Sequence, residues 1–109
     1  MVEVNFFTKG NLLCGYEIKG HSGYGEYGND TVCAAVSSTA IMAANTVTDI
    51  MNINADAVAE EGYLRFTVTQ VDGLEESQAV LRGLELFLNE LCKQYPKNVK
   101  VKYGGVQNA

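Results

Sequence analysis

GHSGYGEYGNDTVCAAVSS, residues 20–38, decides how the chain is read. Gly20, Gly23, Gly25 and Gly28 crowd together with the single histidine, His21, and an uncharged run then begins at Thr31 and lasts to Thr48. Gly23-x-Gly25-x-x-Gly28 has the literal form of a dinucleotide fingerprint, lying between strand-like and helix-like sequence. A nucleotide fold is nevertheless not expected. The strand before it belongs to a hairpin and not to a βαβ unit, and the glycines start several residues beyond that strand. Glu26 and Asp30 would also set negative charge where a pyrophosphate lies.

Upstream, Val2, Val4 and Phe6 alternate over residues 2–8, and Leu12, Cys14, Tyr16 and Ile18 alternate over 12–19. Lys9-Gly10-Asn11 between them supplies turn chemistry, so the two runs predict a β-hairpin with Cys14 on its buried face. Downstream, Val32, Val36, Ala40, Ala43, Val47 and Ile50 recur at steps of three and four, predicting a helix from about Asp30 to Met51. Its length would suit a membrane span, but its Ser, Thr, Asn and Ala content suits a helix buried in protein. The absence of charge on its other faces implies cover on more than one side, by the sheet and by a partner subunit. A short strand is expected over 55–59 and a clearer one over 63–71, with Leu64, Phe66 and Val68 inward and Glu61-Gly62 as the turn. A second helix is expected to open at Asp72 with a capping-box spacing to Glu75. Its stripe is Val80, Leu81, Leu84, Phe87, Leu88, Leu91 and Tyr95, and Pro96 ends it. Cys92 beside that stripe reads as packing. Residues 98–103, with Val99, Val101 and Tyr103 inward, form a last strand. The expectation is one α+β domain over 1–109, in the order β-β-α-β-β-α-β, with helices on a largely antiparallel sheet.

The 109 residues suffice for one core, 47% of them are apolar, and the net charge is −5. That charge disfavours direct nucleic-acid binding and suits a basic partner. The N-terminal MVEVNFF lacks a basic-then-apolar signal pattern, so a cytoplasmic location is expected, with no membrane segment. Three cysteines and no CxxC pair predict no disulfide framework, and a lone histidine offers no zinc site. No metal or cofactor is expected.

The opening stretch has a second chemistry. With Asp30 as N-cap, Cys33 falls in the first helical turn, where free N–H groups and the helix dipole favour thiolate and can hold an oxyanion. His21 can fold back across the glycines as base and later as acid. The glycines allow that loop to close over an extended peptide, with Tyr24 and Tyr27 offering apolar contacts. Ser37, one turn past Cys33, can hydrogen-bond near the thiolate or bond back to its own helix. Taken alone, these residues fit equally a histidine and a cysteine that merely lie near each other in sequence.

Gly20-His21, then Asp30, then Cys33-Ala34-Ala35 and Ser37 realise the pattern GH-x8-D-x2-CAA-x-S. That pattern resembles the bacterial ribosomal-processing cysteine protease family, Prp, and the likeness in element order extends over nearly the whole chain. The resemblance implies a cytosolic, homodimeric cysteine endopeptidase with Cys33 as nucleophile and His21 as general base. The implied substrate is the N-terminal extension of a basic large-subunit ribosomal protein, number twenty-seven, removed during ribosome maturation. It also implies that the loop bearing Gly20, Gly23, Tyr24, Gly25, Tyr27 and Gly28 closes over the substrate. The alternative is a non-catalytic, dimeric, ribosome-associated module whose loop only grips a peptide. Asn5-Phe6-Phe7-Thr8-Lys9-Gly10 echoes the family's cleavage-site pattern, but it reads first as an ordinary edge strand ending in a turn.

Overall fold

The computed structural model describes residues 1–20 and 30–105. The order is β1 (Val2–Lys9), β2 (Leu12–Lys19), α1 (Thr31–Asn45), β3 (Ala55–Glu60), β4 (Tyr63–Val68), α2 (Leu74–Gln94) and β5 (Val99–Tyr103). The five strands form one sheet in the order β3-β4-β2-β1-β5, antiparallel except for the parallel pair β1–β5. This is the expected α+β arrangement. Gly10 and Gly62 turn the two hairpins with φ of 62° and 73°, which glycine adopts at no steric cost. β1 is an interior strand and not an edge, because β5 pairs along its outer side. Phe6 and Phe7 are accordingly 0% and 5% exposed.

Alternation of apolar residues places Val2, Val4, Phe6, Tyr16, Ile18, Phe66 and Val68 in the core. Phe6, Tyr16 and Phe66 form an aromatic row, with ring centroids 6.2 Å and 5.4 Å apart. The register shifts between Phe7↔Gly15 and Thr8↔Leu13, so Cys14 is an extra residue in β2. Simple alternation fails there. Leu13, expected outward, is 1% exposed, whereas Leu12 is only half-buried. The Gln78 side chain of α2 grips the irregular stretch from both sides: its Oε1 accepts from Leu13 N at 3.0 Å, and its Nε2 donates to Leu13 O at 2.7 Å.

The uncharged helix runs from Thr31 to Asn45 and continues as a π-helical turn, Thr46–Ile50. Thr39, Thr46 and Thr48 hydroxyls donate to the carbonyls of Ala35, Met42 and Ala44, four residues back, which satisfies their polarity without charge. Val32, Val36, Ala40, Ala43 and Val47 face the core, and Tyr16 Oη donates to Ala40 O at 2.6 Å. Burial pushes the Tyr16 phenol well above its ordinary pKa, so it stays a donor. The run from Thr31 to Ile50 is long and apolar enough to cross a membrane, yet one whole face of it belongs to this core. Expected cover on further faces is not supplied by the described residues. Ile41, Met42 and Ile50 are exposed, Ile50 to 74%.

α2 begins later than expected. Val71–Gly73 form a 3₁₀ turn, so Asp72 lies outside the helix, and Gly73 is an N-cap without a side-chain bond. The capping box is therefore not formed. Leu74, Ser77, Leu81, Leu84, Leu88 and Leu91 are the buried stripe, while Phe87 is 40% exposed. Tyr103, expected inward, is half exposed but stacks on Phe6 at 5.7 Å.

Candidate active site

Cys33 owes its position to the local start of α1. Asp30 has extended backbone angles, φ −80° and ψ 101°, and its Oδ1 accepts from Cys33 N at 3.0 Å. Its own carbonyl accepts from Ala34 N at 3.1 Å. This is the N-cap read from the sequence, and such a cap contributes about 1 kcal/mol to the helix. The Cys33 N–H is engaged by Asp30 and is therefore not open to an oxyanion. Thr31 N and Val32 N are the first-turn donors without a partner among the described residues.

Cys33 and Ser37, one helical turn apart, open into the same cavity of about 310 Å³. The cavity is also lined, among the described residues, by Ile18, Gly20, Ala34, Glu60, Gly62 and Tyr63. Three elements thus converge on the thiol: the end of β2, the head of α1 and the β3–β4 turn. Gly20 N donates to Gly62 O at 2.9 Å and ties the first of these to the third. Gly20 has φ 88°, and a Cβ there would lie 2.5 Å from the Met1 carbonyl oxygen, so the position requires glycine. Tyr63 Oη donates to Glu17 Oε2 at 2.6 Å across β4 and β2. The bond to Glu17, with a smaller contribution from burial, raises the Tyr63 pKa.

Of the residues singled out in the sequence, the structure brings Gly20, Asp30, Cys33 and Ser37 together. His21, Gly23, Tyr24, Gly25, Tyr27 and Gly28 lie outside the described residues. Glu60, Gly62 and Tyr63 escaped the sequence reading as site residues. Only the pairing of β2 with β4, which sets Ile18 opposite Leu64 and Lys19 opposite Tyr63, carries them to Cys33. The other cysteines are placed differently. Cys14 is buried, and Cys92 is half-buried with its Sγ 3.2 Å from Val99 O.

A thiol at the head of a helix, opening into a cleft on an α+β sheet, has the layout of a cysteine protease. The family model described as cysteine protease Prp matches residues 1–100, and the chain belongs to that family. The ribosomal processing cysteine protease Prp of Staphylococcus aureus is 27% identical over 85 residues, covering 77% of this chain and 80% of the relative. That of Bacillus subtilis is 24% identical over 94 residues, covering 82% and 84%. The crystal structure of the S. aureus protease with a covalently linked product peptide superposes with a TM-score of 0.87 at 21% identity. It covers 95% of this chain and 100% of that one.

Proposed function

We propose that this chain is a cysteine endopeptidase that removes the N-terminal extension of large-subunit ribosomal protein twenty-seven. In this reading Cys33 is the nucleophile and His21 the general base, and the enzyme works as a cytoplasmic homodimer. The observation that carries it is the seat of Cys33, in the first turn of α1 and on the wall of a cleft. Cys33 Sγ attacks the scissile carbonyl and its proton passes to His21. The tetrahedral oxyanion is stabilised by first-turn N–H groups, of which those of Thr31 and Val32 have no partner among the described residues. Collapse expels the amine, which takes the proton from His21 and leaves a thioester. Water, deprotonated by His21, attacks the thioester, releasing the acid and restoring the thiol. The net charge of −5 favours encounter with a basic ribosomal protein.

Limited alkylation with iodoacetamide near neutral pH, followed by peptide mass spectrometry, tests the nucleophile. Cys33 is expected to be labelled well before Cys14 and Cys92. Labelling of Cys33 no faster than Cys92 would leave only the peptide-binding module.

The homodimer draws support from the outer side of α1. Thr39, Met42 and Ala43 of α1 face Val80, Gly83, Leu84 and Phe87 of α2 across an apolar groove of about 430 Å³. Met42, at its rim, is 64% exposed. An exposed apolar groove of this kind suits a protein–protein interface. Sedimentation velocity at tens of micromolar is expected to show a dimer for the wild type and a monomer for Met42→Glu. A wild-type monomer under these conditions would refute the dimer.

A further inference from the structure

We propose that the open edge of β3 is a docking strand for the basic, extended part of the substrate that follows the scissile bond. The proposal rests on the peptidase reading above and adds to it an exosite and a substrate class.

β3 ends the sheet, and among the described residues only β4 pairs with it. Asn54 O accepts from Thr69 N at 3.0 Å, which fixes the phase of the ladder. Backbone groups alternate between the two sides of a strand, so those of Asp56, Val58 and Glu60 bond toward β4. The N–H and C=O groups of Ala55, Ala57 and Ala59 point away from β4 and form a template for a further strand. The edge also leads to the thiol. Glu60, the last residue of β3, and Gly62 of the turn border the cavity into which Cys33 opens. A strand antiparallel to β3 runs from that end toward Ala55, with its N-terminus at the cleft. It therefore holds residues on the C-terminal side of the scissile bond, where the body of a basic ribosomal protein lies.

The two faces of the edge differ in chemistry. Ala57 and Ala59 stand opposite Phe66 and Leu64, on the side of the sheet that carries the helices, yet both are exposed. Such a shelf leaves room for the side chains of an added strand. Asp56, Val58 and Glu60 stand on the other face, the one turned away from Cys33. Asp56 and Glu60 are exposed, and neither forms an ion pair with the described residues. Arg65, opposite Val58, faces Glu17 across the β2–β4 ladder and interacts with Tyr63. An added strand thus meets two carboxylates, four residues apart, on one face and alanines on the other. Lys or Arg opposite each carboxylate stabilises the pairing, and Asp or Glu there weakens it. That chemistry sorts the occupants. Two copies of this chain joined through β3 about Val58 would set each Asp56 opposite a Glu60, and like charges oppose such pairing. The same carboxylates favour a basic strand.

The test titrates full-length Cys33→Ala protein with synthetic peptides. Each carries the cleavage segment of an extended ribosomal protein, followed by about eight residues of Thr alternating with Lys, Gln or Glu. Both phases of each alternation are used. In one phase the Lys peptide is expected to bind roughly fivefold more tightly than the Gln peptide, with the Glu peptide weakest. Amide exchange at Ala57 and Ala59 is expected to slow in the complex, since their N–H groups gain acceptors. The double variant Asp56→Lys, Glu60→Lys is expected to reverse the order of the Lys and Glu peptides. Ala57→Pro removes an outward N–H without removing a bond to β4, and it is expected to weaken every peptide. Unchanged exchange at Ala57 and Ala59 in the saturated complex would overturn the proposal, as would a Lys preference that survives the double variant. A dimer of the free protein that dissociates on Ala57→Pro would assign the edge to a second copy and overturn it too. The titration needs no thiol, so slowed exchange beside an inactive wild type would refute the peptidase reading and keep the docking edge.

Discussion

Cys33→Ala is expected to lower cleavage of an extended ribosomal-protein peptide by at least about 10⁴-fold in kcat/KM, with mass spectrometry of the products as the readout. The thermal melting temperature should stay within a few degrees of wild type. Alanine retains the backbone N–H that donates to Asp30 at 3.0 Å and is the best helix former, so the head of α1 keeps its geometry. Cys33 is only half-buried, so little packing is lost. The variant therefore removes the sulfur and almost nothing else. His21→Ala should cost about 10²- to 10⁴-fold, the usual contribution of a general base. Cleavage by the Cys33 variant at wild-type rate would end the nucleophile assignment, and full activity of the His21 variant would end that of the base.

Gly15→Ala is expected to have the largest effect on stability of any single methyl addition in the sheet. A Cβ at this position would stand 2.1 Å from the Phe66 carbonyl oxygen and 2.9 Å from Thr67 Cα, both backbone atoms of β4. No side-chain rotation relieves that contact. β2 and β4 must separate, and the ladder from Gly15↔Thr67 to Lys19↔Tyr63 must shift with them. Overpacking of this kind costs about 3 kcal/mol or more, against a total stability of about 5–15 kcal/mol. For a domain of this size the melting temperature should fall by about 12 °C or more. Gly10→Ala makes the informative contrast. Nothing lies within 4 Å of a Cβ there, so only the cost of its φ of 62° remains, about 1 kcal/mol. Equal melting points for the two variants would show that β2 and β4 part easily.

The elements were legible because their periods are clean. Val2, Val4 and Phe6 alternate without interruption, and Leu81, Leu84, Leu88 and Leu91 keep helical steps to the end of α2. What alternation cannot report is an added residue. The shift at Cys14 turns Leu13 inward, and its anchor, Gln78, is 65 residues away. Asp72-Gly73-Leu74-Glu75 has capping-box spacing, but the chain spends Val71–Gly73 on a 3₁₀ turn and starts α2 after it. The site divides the same way. Asp30, Cys33 and Ser37 belong to one helix start, so their spacing in sequence is their spacing in space. Glu60 and Tyr63 reach the cleft through strand pairing, and no local pattern marks them. Ile50 looked like the last member of the α1 stripe because a period of 3.6 was extended through Thr46–Ile50. The chain widens there into a π turn, and the side chain points to solvent.

The parallel pairing of β1 with β5 sets the moment at which this protein can finish folding. Val2↔Val99 through Phe6↔Tyr103 joins β1 to β5, so the sheet gains its fifth member only after residues 99–103 have been synthesised. Until then β1 presents an open edge rich in Val and Phe, the kind of surface on which nascent chains misassociate. The four other strands can pair earlier, since each meets a neighbour along the β1-β2-β4-β3 order. Completion of the sheet thus waits for β5 to emerge from the ribosome.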